Sequence, residues 1–219
     1  MLLDLLLPRR CACCALPGTD LCDSCRGALP RIRPPLCGRC GAPTAWPVRR
    51  CRECAGRRLA FASARAAVRY EREARVLVGA WKERALRSLA AVAAGVLADA
   101  VALPAADALT FVPADPDRSL SRGHHPAATL ADRLAALWGL PVLPLLERPR
   151  AGKAQRELGL ADRGGNVAGV FVACRAPPPR VVLVDDVYTT GATASEAARC
   201  LVRAGARRVD VLTFARTVR

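Results

Sequence analysis

The stretch Val181-Val182-Leu183-Val184-Asp185-Asp186-Val187-Tyr188-Thr189-Thr190-Gly191-Ala192-Thr193 decides the fold of this chain. Four apolar residues in a row read as a strand buried on both faces, the pattern of a parallel sheet covered by helices. Two carboxylates follow at the carboxyl end of that strand, where open α/β sheets receive their ligands. Side chains of successive strand residues point to opposite faces, so Asp185 and Asp186 reach one atom together only where the backbone has begun to turn. One is expected to bind ligand hydroxyls and the other to orient the loop or a metal-bound water. Thr189-Thr190-Gly191-Ala192-Thr193 then makes a tight turn into a helix, offering backbone N–H groups, threonine hydroxyls and the positive end of the helix dipole to a phosphate. Helix capping would explain a threonine here, but two adjacent carboxylates repel unless something uses them. A phosphate in the turn and two carboxylates beside it suit a phosphorylated sugar with vicinal hydroxyls. The stretch lacks the Gly-Lys-Ser/Thr of a P-loop, and the chain has no Gly-x-Gly-x-x-Gly dinucleotide fingerprint.

Working outward, strands are expected at 63–70, 109–113, 142–145, 167–173, 181–185 and 209–214. Helices are expected at 71–84, 86–103, 127–138 and 192–204. Strands alternating with helices predict an α/β domain with a mostly parallel sheet. Residues 148–166 interrupt the rhythm with Gly152, Gly159, Gly164 and Gly165 among many charges, as a functional flap would. His124 and His125 are expected to be loop or cap residues without a chemical role.

Toward the N-terminus the composition changes. Nine of the eleven cysteines lie between Cys11 and Cys54, in a segment rich in Pro, Gly and Arg with no apolar run long enough for a core. Residues 1–58 therefore read as a cysteine-rich zinc-binding module and 59–219 as the α/β domain. Cys11/Cys14, Cys22/Cys25, Cys37/Cys40 and Cys51/Cys54 are four Cys-x2-Cys pairs, a spacing that lets both sulfurs of a pair reach one ion. Eight thiolates make two structural Zn2+ sites, closed to water, in place of the missing core. Pairing in chain order gives Cys11/Cys14/Cys22/Cys25 and Cys37/Cys40/Cys51/Cys54; a cross-braced pairing is the alternative. Cys13 is left over and could exchange with a neighbour, while Cys174 and Cys200 read as core residues.

The 219-residue chain is 52% hydrophobic and 24% charged, which excludes a disordered or fibrous polypeptide. Of its 34 basic residues only Lys82 and Lys153 are lysines, so the arginine content reflects a coding bias and composition alone says little about function. A formal charge of +15, about +11 with both zinc sites filled, still favours polyanionic partners. No segment reads as a signal peptide or membrane span, so a cytoplasmic protein without membrane insertion is expected.

The Asp185–Thr193 stretch resembles the signature loop of the type I phosphoribosyltransferases, which bind 5-phosphoribosyl-1-pyrophosphate (PRPP) with Mg2+. That resemblance implies that Asp185 and Asp186 hold the ribose hydroxyls and act in catalysis. It also implies that Val187, Thr189, Thr190, Gly191, Ala192 and Thr193 bind PRPP. Arg118, Arg122 and Gly123 fall where such enzymes bind pyrophosphate, and Lys153, Arg156 and Arg163 fall in the flap, so Arg122 is an expected catalytic residue and Lys153 an expected PRPP ligand. Some members carry a third acid three residues after the second; Thr189 stands there, so that proton relay is absent.

Four cysteine pairs joined to such a domain resemble the ComF family, proteins related to DNA uptake in competent bacteria. Trp81-Lys82, Val112-Pro113, Arg122-Gly123, Gln155, Arg163, Asn166 and Phe171 also match. Where the family has Arg-Gly-Phe-Asn-Gln, this chain has Arg122-Gly123-His124-His125-Pro126. The resemblance implies PRPP and Mg2+ binding, phosphoribosyl transfer to an acceptor that no motif identifies, and partners in DNA uptake. The alternative function is a non-catalytic PRPP sensor or a scaffold that binds single-stranded DNA or proteins, leaving enzymatic activity open.

Overall fold

The computed structural model describes residues 9–83, 86–115, 124–149 and 169–218. A short helix α1 (Asp23–Gly27) lies in the cysteine-rich segment, followed by β1 (Ser63–Arg69), α2 (Arg72–Glu83), α3 (Leu89–Ala100), β2 (Ala108–Phe111) and α4 (Pro126–Trp138). Then come β3 (Leu146–Glu147), β4 (Val172–Ala173), β5 (Arg180–Tyr188), α5 (Ala192–Arg203) and β6 (Arg208–Arg216). Strands β1, β6, β5 and β2 form one sheet in that order, every neighbouring pair parallel. β3 and β4 pair antiparallel as a separate ribbon. The α/β class and parallel sheet expected from the sequence are observed.

β5 alternates between two cores. Val182 and Val184 face Leu212, Phe214 and the buried stripes of α2, α3 and α4, including Leu77, Trp81, Leu97 and Leu130. Val181 and Leu183 face Val209, Val211 and the α5 residues Ala197, Ala198 and Leu201. The period of two along a strand thus feeds one apolar layer on each side of the sheet. In α2, Ala74, Leu77, Val78 and Trp81 repeat at helical spacing and are all buried, the stripe that holds a surface helix to a core.

Each cysteine cluster joins one of these cores. Cys11, Leu21 and Leu29 complete the layer over α2 and α3, whereas Cys37, Cys40, Cys54, Leu59 and Phe61 complete the layer beneath α5. The segment between the clusters also covers the β1 edge: Ile32 N–H donates to Ala67 O at 2.9 Å and Arg69 N–H to Pro30 O at 2.8 Å. Covering an edge in this way removes a template for strand addition. At Gly41, with φ +68°, an added Cβ would lie 2.3 Å from Ala64 O, so glycine allows the second cluster to seat against β1.

Four expectations are corrected. The strand expected at 142–145 is a single bridge, Val142 beside Leu109, because Pro141 and Pro144 bracket it and lack N–H donors for a longer ladder. Of the strand expected at 167–173 only Val172–Ala173 pairs among the described residues. Conversely β5 runs three residues past Asp185, since pairing with β6 continues to Tyr188 opposite Arg216. Cys200 packs on the second core as expected, but Cys174 is exposed, its thiol donating to Pro144 O at the surface.

Candidate functional site

The carboxylate pair sits near the end of β5 in extended backbone, so the two side chains diverge. Asp186 meets Lys82 of α2, Nζ to Oδ2 2.6 Å, with both side chains largely covered. Asp185 folds back so that its Oδ1 accepts from the Asp186 N–H at 2.9 Å. Burial, and next the Asp186 carboxylate, push the Asp185 carboxyl up to about 8; the Asp186 N–H and Lys82 oppose this. At neutral pH this acid therefore keeps its proton.

That shift has a sign that can be measured. Between about pH 4 and pH 8 the folded protein holds a proton on Asp185 that the unfolded chain has lost, so ligand-free stability falls as pH rises across this window. Asp185→Asn is expected to raise Tm at pH 8, with the gain shrinking toward pH 4. Thermal melts from pH 4 to pH 9 check it, and parallel curves for wild type and variant would show that Asp185 ionises normally. Among the described residues, Asp186, Lys82 and, more distantly, His125 are charged or titratable groups that face this site.

Beyond Tyr188 the chain turns sharply. Gly191 caps α5 with φ +73°, and Thr190 Oγ1 accepts from the Ala192 N–H at 3.3 Å. Tyr188 backs the turn so closely that a Cβ on residue 191 would lie 2.2 Å from its phenol oxygen, which demands glycine twice over. Thr189, Thr190 and Thr193 are exposed above this seat. The first-turn N–H groups of a helix have no intrahelical acceptors and, with the dipole, favour an anion.

The loop is braced from below. Tyr188 stacks edge-on against Phe61, with centroids 6.3 Å apart, and carries the Arg216 guanidinium 5.1 Å above its ring. Burial raises its phenol to about 12, so it stays neutral. Arg216, 1% exposed, donates to Cys40 O and to Glu53 Oε2, the latter at 2.8 Å. Arg57 donates to Thr190 O, and Thr217 Oγ1 to Thr189 O at 3.0 Å. The sequence reading placed none of Lys82, Arg57 and Arg216 at this loop. Lys82 had a signal, as one of two lysines among 34 basic residues; the arginines had none.

Arg122 and Lys153, the expected pyrophosphate and flap cations, lie outside the described residues, as do Arg118, Gly123, Arg156 and Arg163. His125 acts as the cap expected of it: Nδ1 lies 3.2 Å from the Ala128 N–H and Nε2 2.7 Å from the Ala114 N–H. Burial lowers its pKa, and a neutral ring accepts through one of these two nitrogens at a time. His124 Nε2 bonds Trp81 O at 2.8 Å.

The eight paired cysteines gather into Cys11/Cys14/Cys22/Cys25 and Cys37/Cys40/Cys51/Cys54, the sequential scheme rather than the cross-braced one. A tetrahedron with Zn–S bonds of about 2.3 Å places its sulfurs about 3.8 Å apart. Here Cys14–Cys22 and Cys37–Cys54 are 3.6 Å apart, Cys40–Cys51 3.5 Å and Cys51–Cys54 3.9 Å, so each cage fits a structural zinc ion. Burial alone would raise the Cys37 thiol, but N–H donors from Cys40, Arg39 and Cys51 bring it to about 6; Cys11 reaches about 6 in the same way. Cys13 stays out of its cage, its thiol facing Glu73 O at 3.7 Å.

The double zinc ribbon domain family matches residues 2–55. The DNA utilization protein YhgH of Salmonella typhi is 29% identical over 98% of this chain and 100% of its own length. Competence protein F of Haemophilus influenzae is 26% identical over 90% of each, and competence protein ComFC of Streptococcus pneumoniae is 34% identical over 47% of this chain and 44% of its own. A solved purine phosphoribosyltransferase from Pyrococcus horikoshii superposes on 63% of this chain and 84% of its own, at 19% identity and a TM-score of 0.30. With a double ribbon match at one end and the Asp-Asp-Val-Tyr-Thr-Thr-Gly-Ala-Thr loop near the other, the chain is similar along nearly its whole length to the DNA utilization and competence proteins named above.

Proposed function

We propose that the protein binds PRPP with Mg2+ at the carboxyl end of β5 and transfers its phosphoribosyl group to an acceptor in the handling of incoming DNA. The observation that carries this is the juxtaposition of Asp185 and Asp186 with the Gly191-capped start of α5. The helix start and the Thr189, Thr190 and Thr193 hydroxyls suit the 5-phosphate, and the carboxylates suit the ribose hydroxyls. Mg2+ binds through one or two carboxylates together with substrate phosphates, and Asp186, joined by Asp185 once the cation displaces its proton, offers those oxygens. A bound Mg2+ would neutralise charge on the departing pyrophosphate. In the transfer, an acceptor lone pair forms a bond to the anomeric carbon as the carbon–oxygen bond to pyrophosphate breaks, its electrons leaving with pyrophosphate. Lys82 holds Asp186 in place through their ion pair until hydroxyls compete for it. Arg122 and Lys153 belong to this reading as cations for the pyrophosphate. The names of the relatives, DNA utilization and competence proteins, supply the setting.

Calorimetric titration of PRPP and Mg2+ into zinc-loaded protein, beside the double variant Asp185→Asn, Asp186→Asn, tests the site. Saturable binding that weakens at least about a hundredfold in the variant is expected. Equal binding by both would remove the aspartates from the site, and no binding by wild type would remove PRPP.

A second reading, a non-catalytic PRPP sensor or a scaffold for single-stranded DNA or protein, is favoured by Trp46. This indole is 68% exposed in a loop that continues through the exposed Arg49, Arg50 and Arg52, an aromatic and cationic set suited to stacked bases. DNA affinity that falls steeply with salt, without pyrophosphate release, would support it. No described helix is long and apolar enough to cross a membrane.

A further inference from the structure

We propose that the second cysteine cluster forms a wall of the phosphate site, and that Arg57, on the chain leaving that cluster, is a binding residue for the phosphomonoester of the ligand. This rests on the reading that the Thr189–Thr193 turn holds a phosphate. Arg57 lies 133 residues from Thr190 in sequence yet donates through Nη1 to the Thr190 carbonyl, immediately before the Gly191 cap. Its backbone is tied to the cluster, its N–H donating to Cys54 O at 3.2 Å. Its side chain lines a small cleft with Glu53, Tyr188, Thr189 and Thr190.

The cluster cannot swing away from this cleft without breaking three independent ties. Arg216 joins β6 to Cys40 O and Glu53. The Ala60 N–H donates at 3.0 Å to Ser195 Oγ in the first turn of α5. The Ala64 N–H of β1 donates at 2.8 Å to Arg39 O, between Cys37 and Cys40. A guanidinium has five N–H donors in a planar fork, so one bond to Thr190 O leaves donors for an anion seated on the same turn. A cation held at a helix start by a metal-braced knuckle is preorganised, which is the condition for a strong charge-assisted bond.

Full-length, zinc-loaded wild type, Arg57→Ala, Arg57→Lys and the neighbouring control Arg58→Ala would be titrated with PRPP, ribose 5-phosphate and pyrophosphate, each with Mg2+. Zinc per chain and Tm would be recorded for every variant. The expected result is a loss of about ten- to hundredfold for PRPP and ribose 5-phosphate in Arg57→Ala, partial recovery in Arg57→Lys, and unchanged pyrophosphate affinity and zinc content. Arg58→Ala should bind as wild type. Wild-type affinity in Arg57→Ala, or equal weakening for all three ligands, would overturn the assignment. Wild type that binds ribose 5-phosphate but not PRPP would sink the transferase reading while Arg57 is still judged on the sugar phosphate. Wild type that binds neither sugar phosphate would overturn both.

Discussion

Cys51→Ser together with Cys54→Ser is expected to lower bound zinc from two ions per chain to one and to drop Tm by more than about 10 °C, whereas Cys14→Ser with Cys22→Ser costs less. The difference follows from where the cages sit. Cys37, Cys40 and Cys54 are buried and pack with Leu59, Phe61, Val181 and Val211 under α5, so the second zinc replaces apolar core at the centre of the domain. In the first cage Cys14 is exposed and only Cys11 is buried. Structural zinc in small cysteine modules supplies about 10–16 kcal/mol of folding free energy, and a domain of this length loses roughly 2–4 °C per kcal/mol. Zinc release by a thiol-reactive mercurial, followed with a chromogenic chelator, and thermal melts read both effects. Equal melting temperatures for the two double variants would show that the cages carry equal loads.

The second large effect is expected at Arg216, whose guanidinium is buried at the end of β6. Arg216→Met removes its bonds to Cys40 O and Glu53 and its charge above the Tyr188 ring. Breaking one side of a buried ion pair costs about 3–5 kcal/mol, so Tm should fall by about 10 °C. Arg216→Lys should recover little of this, because a single ammonium cannot reproduce a fork that bonds two acceptors while sitting over a ring. Adding Glu53→Gln to Arg216→Met should restore part of the loss by removing the stranded carboxylate. A drop of about 1 kcal/mol or less in Arg216→Met, read from chemical denaturation, would mean that the cluster is held to the sheet by its apolar contacts alone.

These two predictions also locate the limit of sequence reading. The apolar run Val181–Val184 placed a strand correctly, because a strand buried on both faces needs no knowledge of its neighbours. Four Cys-x2-Cys pairs implied two cages by stoichiometry, since two sulfurs three residues apart can share one ion wherever the rest of the chain lies. What local patterns could not contain was long-range partnership. Sequential and cross-braced pairing satisfy the same spacing, and only the folded chain brings Cys22 and Cys25 beside Cys11 and Cys14. In the same way Lys82, 104 residues from Asp186 by the numbering, meets it only because α2 packs against the face of β5 that carries Val182 and Val184. Among 32 arginines nothing local marks Arg57 or Arg216. Their importance comes from burial and from the acceptors that the tertiary fold sets before them, Thr190 O, Cys40 O and Glu53. Chemistry carried by neighbours in sequence was legible in the sequence. Chemistry assembled by parallel strands and packed helices was decided by the tertiary structure, because a parallel sheet joins residues that the chain keeps far apart.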